Sequence, residues 1–306
     1  MRAIALIRKI CIVAGNRLIG PFVPYYYRYR WAACSKLNTY SGLVGTARQI
    51  PIVVSLTSFP ARIGIVHNTI QCLLMQSVKP DKLILWLAIE QFPEKEKELP
   101  SELIALRKYG LSIEWCHDIR SFKKLVPTLE QHSDAIVITA DDDLYYRKSF
   151  VKRLYDSFLQ YPEDIHCHRI TKIFIDEEVY HAIPGGYDTY MQPSFLHKLT
   201  GCGGTCYPPH SLYNDVCKLE LFMTLAPTND DIWFWLMAVL NGRRIRVVKH
   251  NNPALQMVEG TQQGEELCKD NDNGPKLFWK QFYQILGYYP QIDTILSTEM
   301  ELMLKK

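Results

Sequence analysis

Two rhythms alternate along the chain from Pro51 onward. Short apolar runs rich in β-branched residues, "PIVVSL", "KLILWLA", "LSIEWC" and "AIVIT", read as strands buried on both faces. Between them, "VHNTIQCLLMQS", "SELIALRKYG" and "SFKKLVPTLEQH" place their apolar residues at helical spacing. The first of these segments is bounded by Lys79-Pro80. The second is expected to open on a Ser101 cap and to close at Gly110, and the third is expected to be helical despite Pro127. Strands alternating with helices at this spacing predict βαβ units, hence an α/β fold with a mixed, mainly parallel, Rossmann-like sheet flanked by helices. Further on, "RKSFVKRLYDSFLQYP" predicts a helix and "TNDDIWFWLMAVLNG" a capped helix ending at Gly242. "RIRVVKH" predicts a strand and "PKLFWKQFYQILG" an amphipathic helix. The segments "EEVYHAIPGGYDTYMQ" and "GCGGTCYPPHSLYND" are rich in Gly, Pro and Tyr and are expected to be loops shaping a pocket. No internal repeat and no low-complexity tract interrupts this order.

In open sheets of this kind ligands bind beyond the carboxyl ends of the strands. Two segments fall there: "TSFPAR" after the first strand and "ADDD" after the fourth. Asp141, Asp142 and Asp143 repel one another unless something positive sits among them. Mg²⁺ or Mn²⁺ answers that need, because such a cation takes one or two carboxylates plus substrate phosphates. The competing reading is a helix cap, although one cap needs only one acid. Asp141 and Asp143 are the candidate metal ligands. His250, at the end of a strand, is a candidate third, against an ordinary structural histidine.

Asp230 and Asp231 form a second acid pair, at the mouth of the "DDIWFW" helix beside an aromatic cluster. They are either a catalytic base and its neighbour or part of a cap built on Thr228 or Asn229. Trp233 or Trp235 is a candidate stacking platform for a ligand, with a core position as the alternative. Arg62 follows the first strand and can face a bound anion or lie on the surface. Lys123 and Lys124 can face a diphosphate or lie on a solvated helix face. Gly203 and Gly204 allow a ligand close to the backbone or mark a plain turn. Cys202, Cys206, His210 and Cys217 could hold zinc but lack the usual knuckle spacing.

Four blocks, "VVSLTSFPARI", "IVITADDDLYY", "GCGGTCYPPHSL" and "APTNDDIWFW", resemble in their order a group of bacterial GT-A glycosyltransferases. These act in surface-polysaccharide and lipopolysaccharide synthesis. The resemblance spans roughly residues 50 to 250. It implies a GT-A fold, a nucleotide-sugar donor with a UDP-sugar as the first expectation, and aspartates holding Mn²⁺ or Mg²⁺ on the diphosphate. Asp143 is then the metal ligand first in line, with Asp141 near the ribose or the metal. Thr57, Arg62, Lys124, Asp141 and Asp142 become donor-binding, and Gly203, Gly204 and Trp233 acceptor-binding. Asp231, with Asp230 beside it, takes the catalytic position. Cys202 and Cys206 interrupt what is usually a plainer glycine-rich acceptor loop. The implied activity is sugar transfer to a glycan or lipid-linked acceptor, with inversion expected because a base opposite the leaving group suits single displacement.

At 306 residues and 47% hydrophobic content the chain can bury a sizeable core. Its +3 net charge decides little, but its distribution is informative: ten basic residues precede the first acid, Asp81. The basic end is also aromatic, as in "PFVPYYYRYRW". The expected organisation is therefore a basic, membrane-associating arm over residues 1–49 and a GT-A domain over 50–306. Within that domain, 50–146 form the nucleotide-sugar half and 147–306 the acceptor half. "AIALI" and "ICIVAG" are broken by Arg8 and Lys9, which excludes a bilayer-spanning run there and makes an in-plane arm on an anionic leaflet the expectation. "AAC" before Ser35 resembles a lipoprotein cleavage site only faintly. Nine scattered cysteines fit a reducing cytosol, so the expected location is the cytoplasmic face of the cell membrane. Nucleic acid would explain the basic arm but not the acids. A non-catalytic nucleotide- or glycan-binding protein and a metal-dependent phosphohydrolase are the rival readings. The phosphohydrolase pattern wants Thr or Val soon after its second acid, where Leu144 and Tyr145 stand.

Overall fold

A computed structural model describes residues 20–37, 39–184, 192–249, 251, 255–261 and 275–305. His250 and residues 1–19 lie outside the described residues. The apolar runs form strands with nearly the expected bounds: β1 Ile52–Thr57, β2 Lys82–Ala88, β3 Leu111–Cys116 and β4 Ile136–Thr139. They pair in parallel in the order β4-β1-β2-β3. Three further short strands extend the sheet: β5 Ile165–Cys167, β9 Thr205–Tyr207 and β10 Ile245–Val247. They complete the seven-stranded order β10-β5-β9-β4-β1-β2-β3, in which β9 alone runs antiparallel to its neighbours. The fold is α/β, with a mostly parallel sheet flanked by helices.

Both faces of this sheet are covered, and so the strands read as continuous apolar runs. In β1, Ile52, Val54 and Leu56 face one layer while Val53 joins Ile84, Trp86 and Ala135 on the other. The first layer holds α1 Val23–Ser35, α2 His67–Leu74, the short α3 Ser101–Ile104 and α5 Phe150–Gln160. On the opposite face lie α4 Val126–Gln131, α6 Leu219–Leu225, α7 Asp230–Leu240, α8 Pro275–Tyr288 and α9 Gln291–Leu304. Pro127 is tolerated because it sits in the first turn of α4, where its missing N–H has no helical partner to lose.

Several expectations need correction. Ser101 does not cap its helix. Pro100 occupies the cap position, and the Ser101 hydroxyl bonds Glu102 instead. That helix tightens to 3₁₀ over Ala105–Tyr109 before ending at Gly110, whose φ of +113° suits glycine. Part of the first expected loop is strand β7 Val179–Pro184, which forms a hairpin with the preceding β6 Ile170–Asp176; β6 also pairs with β8 His197–Leu199 in a second, three-stranded sheet. Part of the second expected loop is β9 itself. The remainder of the first loop, residues 185–191, lies outside the described residues. Among the described residues no helix is long and apolar enough to cross a membrane.

Candidate active site

β1 and β4 are neighbours and parallel, so the segments that follow them emerge side by side at the carboxyl edge. The Asp141–Asp143 turn is pinned there from both sides. The Tyr146 hydroxyl accepts the Asp141 N–H at 2.9 Å, and the Thr69 hydroxyl donates to the Asp142 carbonyl at 3.0 Å. Val258 N–H donates to the Asp143 carbonyl at 2.7 Å, and Tyr145 N–H to the Gln256 carbonyl at 2.8 Å, a short antiparallel contact.

The charge repulsion among the three acids is met from within the chain. Arg62, after β1, lies 2.8 Å from Asp142 Oδ1 and 2.9 Å from Asp143 Oδ2. Lys124 lies 3.1 Å from Asp141 Oδ1. Burial works to discharge both cations. The neighbouring carboxylates outweigh it and raise both pKa values, that of Lys124 well above the ordinary lysine range. Burial in turn pushes Asp143 up to about 7, with Asp141 and Asp142 adding to the rise and Arg62 opposing it.

Lys124 also lies 3.0 Å from Asp230 Oδ2, so one buried ammonium joins the acids after β4 to those opening α7. Asn229 is the cap of that helix: its side chain accepts the Ile232 N–H at 3.1 Å. The cap is thus filled without either aspartate, which leaves the acid pair free for other work. Asp230 is held by the Ser121 hydroxyl at 2.9 Å. Asp231 takes the Gly201 N–H on its two oxygens at 3.1 and 3.0 Å, with Lys198 4.0 Å away. Burial first, and then Asp230, raise the Asp231 pKa, against the pull of Lys198 and Lys124. A Cβ on Gly201 would stand 2.6 Å from Asp231 Oδ1 and 2.9 Å from Lys124 Nζ, so only glycine lets this loop close over the pair.

The structure brings Arg62, Lys124, Asp141, Asp142, Asp143, Asp230 and Asp231 into one network, and it moves other residues out of their expected places. Trp233 is fully buried, its indole N–H donates to the Val216 carbonyl at 2.9 Å, and it cannot stack on an acceptor. Trp235 is likewise in the core and bonded to the Phe195 carbonyl. Asp142 is turned inward, its oxygens taken by Arg62 and by the Ser58 hydroxyl at 2.6 Å. It holds Arg62 rather than offering itself to a donor. The Thr57 hydroxyl is spent on the Trp86 carbonyl at 2.9 Å. Gly203 and Gly204 are buried, and a Cβ on Gly203 would strike Arg169 and one on Gly204 the Phe150 ring; they serve packing, not acceptor contact.

Lys123 and Lys124 do not lie on a solvated face. Both are buried, and Lys123 pairs with Asp118 at 2.7 Å. Sequence reasoning missed Ser58, Lys198 and Gly201. Gly201 stood in the quoted glycine-rich block, but only its distance from Asp231 sets it apart. The zinc alternative also fails: Cys206 is buried within β9, and His210 pairs with Asp134.

No protein-family model matches the chain, and no curated protein matches it. Solved structures of similar course include S. aureus TarS, residues 1–349, at 15% identity and TM-score 0.44, covering 67% of this chain. The chain spans 59% of the length of that TarS structure. A mannosyltransferase of Pyrobaculum calidifontis, PcManGT, in complex with GDP-Man and Mn²⁺, matches at 11% identity and TM-score 0.41. That match covers 96% of this chain and 86% of PcManGT. The inositol-1-phosphate CTP transferase of T. maritima matches at 10% identity and TM-score 0.42, covering 77% and 98% of the two chains. These likenesses are distant, and the functional reading rests on the site.

Among the described residues no three His, Cys, Asp or Glu side chains are gathered to hold a cation. Asp141 and Asp143 offer two hard oxygen donors, a number that fits Mg²⁺ or Mn²⁺ when substrate phosphates complete the shell, although Lys124 and Arg62 hold one oxygen of each.

Proposed function

We propose that the chain is a glycosyltransferase. It moves a sugar from a nucleotide-sugar donor, a UDP-sugar first, to a glycan or lipid-linked acceptor presented at an anionic membrane surface in polysaccharide synthesis. The observation that carries this reading is that one buried lysine, Lys124, joins two acid clusters at the ligand-binding edge of the sheet. The 50–146 half then binds the donor and the 147–306 half the acceptor.

Transfer forms a bond from the acceptor oxygen to the anomeric carbon and breaks the bond from that carbon to the diphosphate, which leaves with the electron pair. Arg62 and Lys124 lie where positive charge can receive the diphosphate, each now neutralised by carboxylates that the ligand's own negative charge would rival. A divalent cation held by Asp141 and Asp143 would supply Lewis-acid stabilisation of the same leaving group. Asp231 is the proposed base. Its side chain is 20% exposed against 12% for Asp230, and burial, with Asp230 beside it, raises its pKa and so its basicity. It takes the proton of the attacking hydroxyl, and this placement suits inversion.

A thermal-shift screen of nucleotide sugars with Mn²⁺ tests the reading. One class of nucleotide sugar is expected to raise the melting temperature and nucleoside alone to raise it less. A shift with a sugar phosphate that lacks the nucleoside would favour a phosphohydrolase.

A further inference from the structure

Helix α1 has two unlike faces. Tyr27, Trp31 and Cys34 point at the domain: Tyr27 stacks on Tyr145 at 5.1 Å, and Trp31 meets the Tyr109 ring edge-on at 4.9 Å. On the opposite side Phe22, Tyr25, Tyr26 and Tyr29 follow one another at helical spacing and are 53–75% exposed. Four adjacent aromatic side chains facing water are costly on a monomer and mark an interaction surface. At 100° per residue Arg28 and Arg30 fall on the two flanks of this stripe, and the Arg30 guanidinium lies 5.7 Å from the Tyr26 ring. No acid precedes Asp81 in the chain, and Arg2, Arg8, Lys9 and Arg17 precede the helix. A protein partner recognised by this face would have to be acidic and flat. An anionic bilayer supplies both properties, and tyrosines and arginines suit its headgroup layer.

We propose that the outward face of α1 seats the protein on an anionic lipid bilayer. The inference deepens the reading above, since it rests on an acceptor held at a membrane, and it assigns the residues that touch the lipid. It also sets the site's position. Tyr145, on which Tyr27 stacks, lies two residues beyond Asp143, so the lipid-facing helix is braced against the acid turn itself. Because Tyr27 is core, deleting the arm would strip the domain as well as the docking face; point variants on the outer face separate the two.

The test is vesicle flotation of the full chain. Vesicles of phosphatidylcholine alone are compared with vesicles that also contain phosphatidylglycerol. The wild type is expected to float with the mixed vesicles, less so at high salt, and not with the neutral ones. Arg28→Gln with Arg30→Gln should lower partitioning on the order of 10-fold or more. Tyr25→Ser, Tyr26→Ser and Tyr29→Ser together should abolish flotation, while the thermal melt and donor hydrolysis stay as in the wild type. Equal flotation of the variants and the wild type overturns the proposal, as does equal binding of the wild type to neutral vesicles. Loss of a wild-type dimer in the variants with flotation unchanged overturns it too, and makes the face a contact between copies. A wild type that floats through this face yet transfers no sugar leaves the docking intact and removes the glycosyltransferase reading.

Discussion

Asp231→Asn is expected to lower turnover on the order of 10²–10⁴-fold while leaving donor affinity near the wild-type value. The amide can still accept the Gly201 N–H through its oxygen, and Asn229 continues to cap the helix, so the backbone has no reason to move. What is lost is the capacity to take a proton. The pH dependence carries the same assignment. Burial and Asp230 raise the Asp231 pKa, and a base works only when deprotonated. Wild-type turnover should therefore fall as pH drops through a value above the ordinary carboxylate range, and Asp231→Asn should lose that limb. Initial rates against donor concentration separate turnover from binding. Asp230→Asn is the control. It keeps Asp231 but weakens the contact with Lys124, so it should cost stability more than rate. If Asp230→Asn is inactive and Asp231→Asn is normal, the two roles are exchanged.

Lys124→Met should destabilise the protein by about 3–5 kcal/mol, the usual cost of removing one partner from a buried ion pair. The Lys124 side chain is 9% exposed, and its loss would leave Asp141 and Asp230 facing each other across a methionine. Urea unfolding of wild type and variant measures the difference. Adding Asp141→Asn and Asp230→Asn to Lys124→Met should recover most of the loss, because the penalty is the uncompensated charge and not the missing side-chain volume. A loss that the triple variant does not recover would mean that Lys124 acts through packing.

Much of the fold was legible because its core strands are buried on both faces, and an uninterrupted apolar run has few other uses. β2 and β3 have the bounds the sequence suggested. The hairpin of β6 and β7 was not legible, for a local reason. Its turn residues, Glu177 and Glu178, both adopt positive φ, +46° and +62°, where glycine or asparagine would normally announce the turn. The acid turn was legible as a site, but the cations that neutralise it were not. Lys124 meets Asp141 from 17 positions away and Asp230 from much farther along the chain, and no local pattern separates such a lysine from a solvated one. Trp233 illustrates the converse. Its neighbourhood in sequence suggested a sugar platform, while its helical phase points it at Phe222 and Tyr289.

Among the seven charged groups of the network, Asp143 separates the donor-site account most cleanly from a merely structural one. It keeps a carboxylate beside Asp141 and Asp142 at the cost of a pKa pushed up to about 7, so its removal relieves repulsion and leaves Arg62 paired with Asp142. The direct measurement is calorimetric titration of a nucleotide sugar into wild type and Asp143→Ala, each with and without Mn²⁺. The wild type should bind at one site, more tightly with Mn²⁺, and Asp143→Ala should lose the Mn²⁺-dependent part while remaining folded. Equal affinity of wild type and Asp143→Ala in both conditions would contradict the account.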